Sequence, residues 1–189
     1  MKGYLVEMLD NLQKVNVNAI IFQVRVEGDA LYPSEIEPWS RFITGVQGRS
    51  PGWDPLAFMV TECHKRNMEL HAWINPYRAR TKGTTYVAPT HFSKKRPRNF
   101  IEYEGQLYFN PAMQSNRDHI CKVVTDIITR YDVDGLHIDQ TQQIEAEAVH
   151  MILLHPVQAG VQNVLGTHAP LGGNIVTAAG TVTQAAVGL

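Results

Sequence analysis

The residues best suited to chemistry close a short apolar run, Asp134-Gly135-Leu136-His137-Ile138-Asp139. A run that opens on a turn signal and ends on a carboxylate reads as a buried parallel strand delivering Asp139 to its carboxyl end. Two earlier runs share the pattern: Ala19-Ile20-Ile21-Phe22-Gln23-Val24-Arg25 and Leu70-His71-Ala72-Trp73-Ile74-Asn75. Successive strand side chains point to opposite faces. One face of each run is hydrocarbon: Ile20, Phe22 and Val24, then Leu70, Ala72 and Ile74, then Leu136 and Ile138. The other carries Gln23 and Arg25, then His71, Trp73 and Asn75, then His137 and Asp139. A strand-end carboxylate suits nucleophilic or electrostatic work, and it equally suits capping of the segment that follows. His71 and Asn75 fit hydroxyl recognition as well as hydrogen bonding in a core. Glu27, just past the first run, is a second candidate acid, and Arg25 is placed either to orient Asp139 or to pair with Glu27.

The elements that must hold these residues alternate. Leu5, Met8, Leu9, Leu12 and Val15 follow helical spacing, which predicts a helix over 3–15 before a strand at 18–26. Asp54-Pro55 supplies an N-cap and a first-turn proline for a second helix reaching about Arg66, where Asn67 is a left-handed stop. A strand over 69–75, a helix over 114–131 with Ile120, Val123, Val124, Ile127 and Ile128 on one face, and a strand over 134–139 complete the series. Helix and strand in turn argue an α/β fold with a parallel sheet. Apolar faces packed on helices and polar faces turned to a shared interior describe part of a β/α barrel, whose working residues lie at the carboxyl strand ends.

Two long excursions interrupt the series. Residues 27–53 are rich in Gly, Pro and Ser, and 76–111 carry the basic run Lys94-Lys95-Arg96-Pro97-Arg98 and a hairpin around Glu104-Gly105. Long ordered loops at this end of a barrel handle substrate. The basic run suits phosphate, although such a run is more often simply solvated.

Composition excludes several classes. The formal charge of −1 gives no general attraction to nucleic acid or anionic membrane. No apolar run of membrane-spanning length occurs, and the opening residues form an amphipathic segment rather than a signal peptide. Cys63 and Cys121 fall in helical patterns and read as buried free thiols. The eight histidines show no zinc spacing, as His64 with His71 and His150 with His155 illustrate, so no metal is expected.

Three blocks carry a specific resemblance: Gln23-Val24-Arg25-Val26-Glu27-Gly28-Asp29-Ala30-Leu31-Tyr32, His71-Ala72-Trp73-Ile74-Asn75-Pro76-Tyr77-Arg78 and Asp134-Gly135-Leu136-His137-Ile138-Asp139. With Pro38-Trp39-Ser40 and Asp54-Pro55-Leu56-Ala57, residues 3–139 resemble the family 10 glycosyl-hydrolase-like barrel of bacterial cell-envelope proteins. The resemblance implies a TIM-type barrel hydrolysing glycosidic bonds of a polysaccharide or cell-wall glycan, with carbohydrate as partner and no cofactor. It also implies a periplasmic, lipoprotein or extracellular setting. Glycoside hydrolysis takes one carboxylate at the anomeric carbon and one carboxylic acid at the leaving oxygen. In the similar starch-hydrolase barrels the aspartate of a Gly-x-x-x-Asp strand is the nucleophile, and Gly135 to Asp139 keeps that spacing. The implied substrate contacts are Arg25, Trp39, His71, Trp73, Asn75, Tyr77, Arg78 and His137, with the aromatic rings as stacking faces.

The sequence also departs from that pattern. The family's strand before the first helix has no counterpart, Gln140 stands where a second acid is expected, and no later strands are recognisable. From Gln140 onward there is no Lys, Arg or aromatic residue, so 140–189 read as a tail foreign to the family. The expectation is an incomplete barrel without turnover of its own; the rivals are a non-catalytic glycan-binding module and a truncated product without independent activity. In space, Arg25, Asn75 and Asp139 should line one sheet edge in that order, with His71 and His137 one step beneath.

Overall fold

The computed structural model describes residues 1–138 and the backbone course of 175–177. Asp139 and the proposed tail over 140–189 lie outside the described residues, apart from that short strand. The elements run α1 (Lys2–Lys14), β1 (Ala19–Arg25), α2 (Arg41–Thr44), α3 (Pro55–His64), β2 (Glu69–Ile74), β3 (Arg78–Arg80), α4 (Phe92–Lys95), a 3-10 turn (Pro97–Asn99), β4 (Phe100–Tyr103), β5 (Gln106–Phe109), α5 (Gln114–Arg130), β6 (Gly135–Ile138) and β7 (Ile175–Thr177). The expected helices and strands are therefore present within about two residues at each end, as the spacing of their apolar positions requires.

The first sheet has the order β6-β2-β1-β7, with every pairing parallel. Its hydrocarbon face lies where alternation puts it. Ile20, Val24, Leu70, Ala72, Ile74 and Leu136 share one buried cluster with Leu9 of α1, Leu56, Met59 and Cys63 of α3, and Val123, Val124 and Ile127 of α5. Each such large side chain removed from water stabilises the fold by about 1.5–3 kcal/mol. Asp54 caps α3 as expected, accepting from the Ala57 N–H at 3.0 Å, with Pro55 in the first turn. Asn67 takes the left-handed conformation, φ 55°, that ends the connection to β2.

Asp134 sets the register of β6. Its N–H donates to the Leu70 carbonyl at 2.9 Å, while its carboxylate accepts from the Leu70 N–H at 2.7 Å and meets His64 Nε2 at 2.8 Å. The next residue, Gly135, faces His71, and a Cβ built there would lie 2.7 Å from His71 Nδ1 and 2.8 Å from Cγ. Only glycine leaves room for that ring. Gly135→Ala is expected to cost about 1–3 kcal/mol, as overpacking does, and to displace the His71 resonances in an imidazole NMR spectrum.

The second excursion folds into a sheet of its own, with the antiparallel order β3-β5-β4. Glu104 and Gly105, φ 51° and 78°, form the turn between β4 and β5; two positive φ values match the tight hairpin turns that suit strand twist. Tyr77, Ala79, Phe109 and Ile120 make a second buried cluster beneath this sheet. Of the two thiols, Cys63 is fully buried and Cys121 is half-buried, so only the first matches the expectation. Burial pushes the Cys63 thiol up to about 12. Burial raises the half-buried Cys121 thiol as well, so at pH 8 a thiol reagent should label Cys121 slowly in the native protein and reach the sealed Cys63 only on unfolding.

Candidate functional site

The polar face of the parallel sheet is built in rows. Gln23 pairs with Trp73 and Trp73 with His137, so these three stand side by side across β1, β2 and β6. Ile21, His71 and Gly135 form the row below. The two histidines are therefore one step apart in height, and not level as expected from the sequence. Their rings still meet, stacked with centroids 5.1 Å apart and His71 Nδ1 2.8 Å from His137 Nε2, because Gly135 leaves the space. The chain continues downward, with His71 Nε2 2.9 Å from a Glu69 carboxylate oxygen. An ionised carboxylate can only accept. His71 thus donates to Glu69 through Nε2, and a second hydrogen bond joins His71 Nδ1 and His137 Nε2. Above this chain, Gln23 presents a buried amide nitrogen that has no hydrogen-bond partner among the described residues. Beside it Trp73 stays half-buried.

At the carboxyl ends the arrangement differs from the expectation. A bulge between Gln23 and Arg25 puts Arg25 opposite Ile74 rather than Asn75, a shift that re-aims the side chain. Arg25 is fully buried and its guanidinium grips Glu37, with Nε to Oε2 at 2.8 Å and Nη2 to Oε1 at 2.7 Å. Nη1 donates to the backbone carbonyls of Asn75 and of Pro76, the latter at 3.0 Å. The ring of Phe109 lies 5.0 Å from the guanidinium carbon. Glu37 Oε1 also meets His119 Nε2 of α5 at 2.8 Å, and Phe92 stacks on His119 at 4.1 Å. Arg25 therefore binds Glu37, not Glu27, and serves as an internal strut joining strand ends, first excursion and α5. Burial by itself would raise the Glu37 carboxyl, but the charge and hydrogen bonds of Arg25, with the bond to His119, outweigh it and bring the group down to about 2.

Glu27 is likewise committed. Although nearly fully buried, its carboxylate accepts from Arg41 Nε at 2.9 Å, from Arg41 Nη2 at 3.1 Å, from the Thr81 N–H at 3.0 Å and from the Thr81 hydroxyl. Burial raises its pKa, and these four donors more than reverse the effect, leaving it below the usual carboxylate range. A group held as the ion is the opposite of a proton donor. Its backbone carbonyl meets His91 Nε2 at 2.9 Å, which joins the two excursions again. Burial holds His91 below the usual imidazole range.

The other expected contacts divide by burial. Asn75 is fully buried and its side-chain oxygen accepts from the Arg78 N–H at 2.8 Å, shaping the turn after β2. Tyr77 is 4% exposed within the second apolar cluster, so its ring packs rather than offering a stacking face. Arg78 is half-buried and its Nε donates to the Val26 carbonyl at 3.3 Å. Trp39 is half-buried at the paired strand-like bridge Ala30–Trp39 in the first excursion. Among the described residues no cluster of His, Cys, Asp and Glu is arranged to hold a metal ion, and no helix is long and apolar enough to cross a membrane.

Sequence reasoning missed Glu37, His119 and Glu69. Glu37 and His119 are 82 positions apart, so no local spacing joins them. Glu69 did carry a signal, since it precedes His71 by two residues and so shares its strand face.

Comparison with known proteins shows the family and the fold. Residues 2–153 match the glycosyl hydrolase-like 10 family. The chain is 44% identical over 140 residues to glycosyl hydrolase YngK of Bacillus subtilis, covering 73% of this chain and 28% of that protein. It is 39% identical over 145 residues to glycosyl hydrolase DigH of Escherichia coli, covering 71% of this chain and 33% of the relative. The chain thus spans about a third of the length of these relatives. In fold it is similar to α-L-fucosidase isoenzyme 2 from Paenibacillus thiaminolyticus, with a TM-score of 0.57, 15% identity, and coverage of 97% of this chain and 30% of that one. Its parallel strands and helices accord with part of a glycosidase barrel. The chain belongs to the glycosyl hydrolase-like 10 family.

Proposed function

We propose that this chain supplies part of a carbohydrate cleft that hydrolyses the glycosidic bonds of a polysaccharide or cell-wall glycan, with Asp139 as nucleophile or electrostatic stabiliser. The observation that carries the reading is the polar row Gln23, Trp73 and His137 on a parallel sheet of this family. A flat half-buried indole beside an unpartnered amide donor is suited to a sugar ring and one of its hydroxyls. Asp139 comes two residues after His137 in the sequence, the spacing at which an alternating pattern repeats a face. Arg25, Glu27 and Glu37 act as braces for the excursions and do not touch the sugar. His71 and His137 hold the floor of the cleft.

A second reading, a glycan-binding module without turnover, draws support from the carboxylates themselves. Glu27 and Glu37 are held ionised, and Asp29, which burial raises, is sealed with both oxygens accepting, from the Glu27 N–H and the Gln47 amide. None of the three is available to protonate a leaving oxygen.

Glycan affinity and turnover of aryl glycosides, measured on the same preparation, test both. Trp73→Ala should weaken glycan binding about tenfold or more, in line with loss of an aromatic contact, with the far-UV dichroism unchanged. Asp139→Asn should retain binding within about threefold and abolish any turnover. Absence of glycan binding would remove both readings. Turnover that survives Asp139→Asn would remove Asp139 from its role.

A further inference from the structure

The exposed cations of the second excursion are not absorbed by the cleft. Residues 76–111 hold seven of the cations and only two carboxylates, Glu102 and Glu104, a local charge of +5 in a chain of −1; the remainder is −6. Outside the excursion several arginines have a carboxylate: Arg25 with Glu37, Arg41 with Glu27, Arg66 with Asp10 and Glu62, Arg130 with Asp126; within it Arg80 pairs with Glu102. Lys94, Lys95, Arg96 and Arg98 are all exposed, and none makes a side-chain hydrogen bond or ion pair among the described residues. Four cations in five positions repel one another when no carboxylate relieves them.

This segment is also held in place. On its amino side His91 and Ser93 are buried, and Phe92 stacks on His119. On its carboxyl side Asn99 is buried, donates to Ser115 Oγ at 2.8 Å and Asn116 Oδ1 at 3.1 Å, and its carbonyl accepts from Asn116 Nδ2 at 2.7 Å. A cationic run pinned at both ends loses little freedom on binding an anion. Its amino-side anchor is tied to the carboxyl end of β1, since His91 bonds the Glu27 backbone just past that strand.

We propose that Lys94, Lys95, Arg96 and Arg98 form a binding surface for the carboxylate groups of an acidic polysaccharide lying along the rim of the cleft. The choice of a polysaccharide rests on the carbohydrate reading above. Nucleic acid is disfavoured by charge, because a phosphate comb asks for an extended basic stripe on a positive domain, and here the rest of the chain is −6. The polymer needs no stacking against the patch; its attraction is Coulombic and acts before the cleft closes on any sugar.

The test uses the whole chain with polygalacturonate, neutral dextran, free galacturonate and duplex DNA. Polygalacturonate should bind, with affinity falling steeply as salt rises, while dextran and the monomer show no patch-dependent binding. Lys94→Glu/Lys95→Glu/Arg98→Glu should lower affinity for polygalacturonate by about thirtyfold or more. The charge-matched control Lys14→Glu/Lys65→Glu/Lys122→Glu should change it by less than about threefold, which separates local contact from net charge. All six side chains are on the surface, so both variants are expected to fold. Equal losses in the two variants, or no polygalacturonate binding, would overturn the proposal. Tighter patch-dependent binding of DNA would overturn it in favour of a nucleic-acid surface. Trp73→Ala separates this idea from the reading of the cleft: polygalacturonate binding that persists in that variant supports the rim surface even where the cleft binds no glycan.

Discussion

Glu37→Gln is expected to lower the unfolding free energy at pH 7 by about 3–5 kcal/mol, the scale found when one partner of a buried ion pair is removed. Arg25 is fully buried and spends its guanidinium on Glu37 and two carbonyls, so the variant leaves a charge without its counter-ion. The same pair sets an acid limit. The Glu37 carboxyl sits at about 2 in the folded protein against an ordinary value of 4.5. A depressed carboxylate stabilises fully above its unfolded value and loses that contribution as pH falls through the folded one. The window is therefore about pH 4.5 down to about pH 2, and the contribution at stake is about 3 kcal/mol. Urea unfolding at pH 7 and at pH 3 checks both statements. The wild type should lose more stability between the two than Glu37→Gln does. A variant with the wild-type pH dependence would show that the acid sensitivity lies elsewhere.

Gly28→Ala should be the most damaging single methyl group in the first excursion. Gly28 has φ +63°, a left-handed conformation, and an added Cβ would stand 2.7 Å from His91 Nε2 and 3.0 Å from the Phe109 ring. The backbone alone costs about 1–2 kcal/mol for a residue with a Cβ. Overpacking against a sealed ring adds about 1–3 kcal/mol more. The clash also falls on the nitrogen that holds the Glu27 carbonyl, so the two excursions should part before the parallel sheet melts. Limited proteolysis should then cut within 76–111 while the segment from α3 to β2 stays intact. Cleavage at the wild-type rate with an unchanged urea midpoint would disprove the account.

Periodicity carried most of the framework. Leu70, Ala72 and Ile74 alternate with His71 and Trp73, and that alone assigns their faces, because a strand has only two. Asp54-Pro55 and Glu104-Gly105 were legible for a similar reason, being local chemistry with local consequences. The excursions were not legible in this way. Nothing within a few residues of Arg25 announces that a bulge will turn it from Asn75 to Ile74, or that its partner is Glu37. Those outcomes come from contacts between segments far apart in the chain, which single-sequence spacing does not encode. Tyr77 shows the converse error. An aromatic beside a promising motif suggests a sugar platform, yet the hairpin that covers it comes from residues 100–109.

The grip of Asp134 on Leu70 has a consequence for how this sequence can change in length. Because the side-chain period of a strand is two, adding or deleting one residue between Asp134 and His137 would turn His137 into the hydrocarbon core and swing the neighbouring apolar side chains onto the polar face of the sheet. The two hydrogen bonds between Asp134 and Leu70 fix the starting point, so no sliding of β6 can absorb the change. At the exposed tip Glu104-Gly105 no such constraint applies, and extra residues there leave both ends of the hairpin in place. Insertions and deletions should therefore accumulate at the hairpin tip and be absent from 134–137, letting the reach of the hairpin diverge while the strand that leads to Asp139 keeps its length.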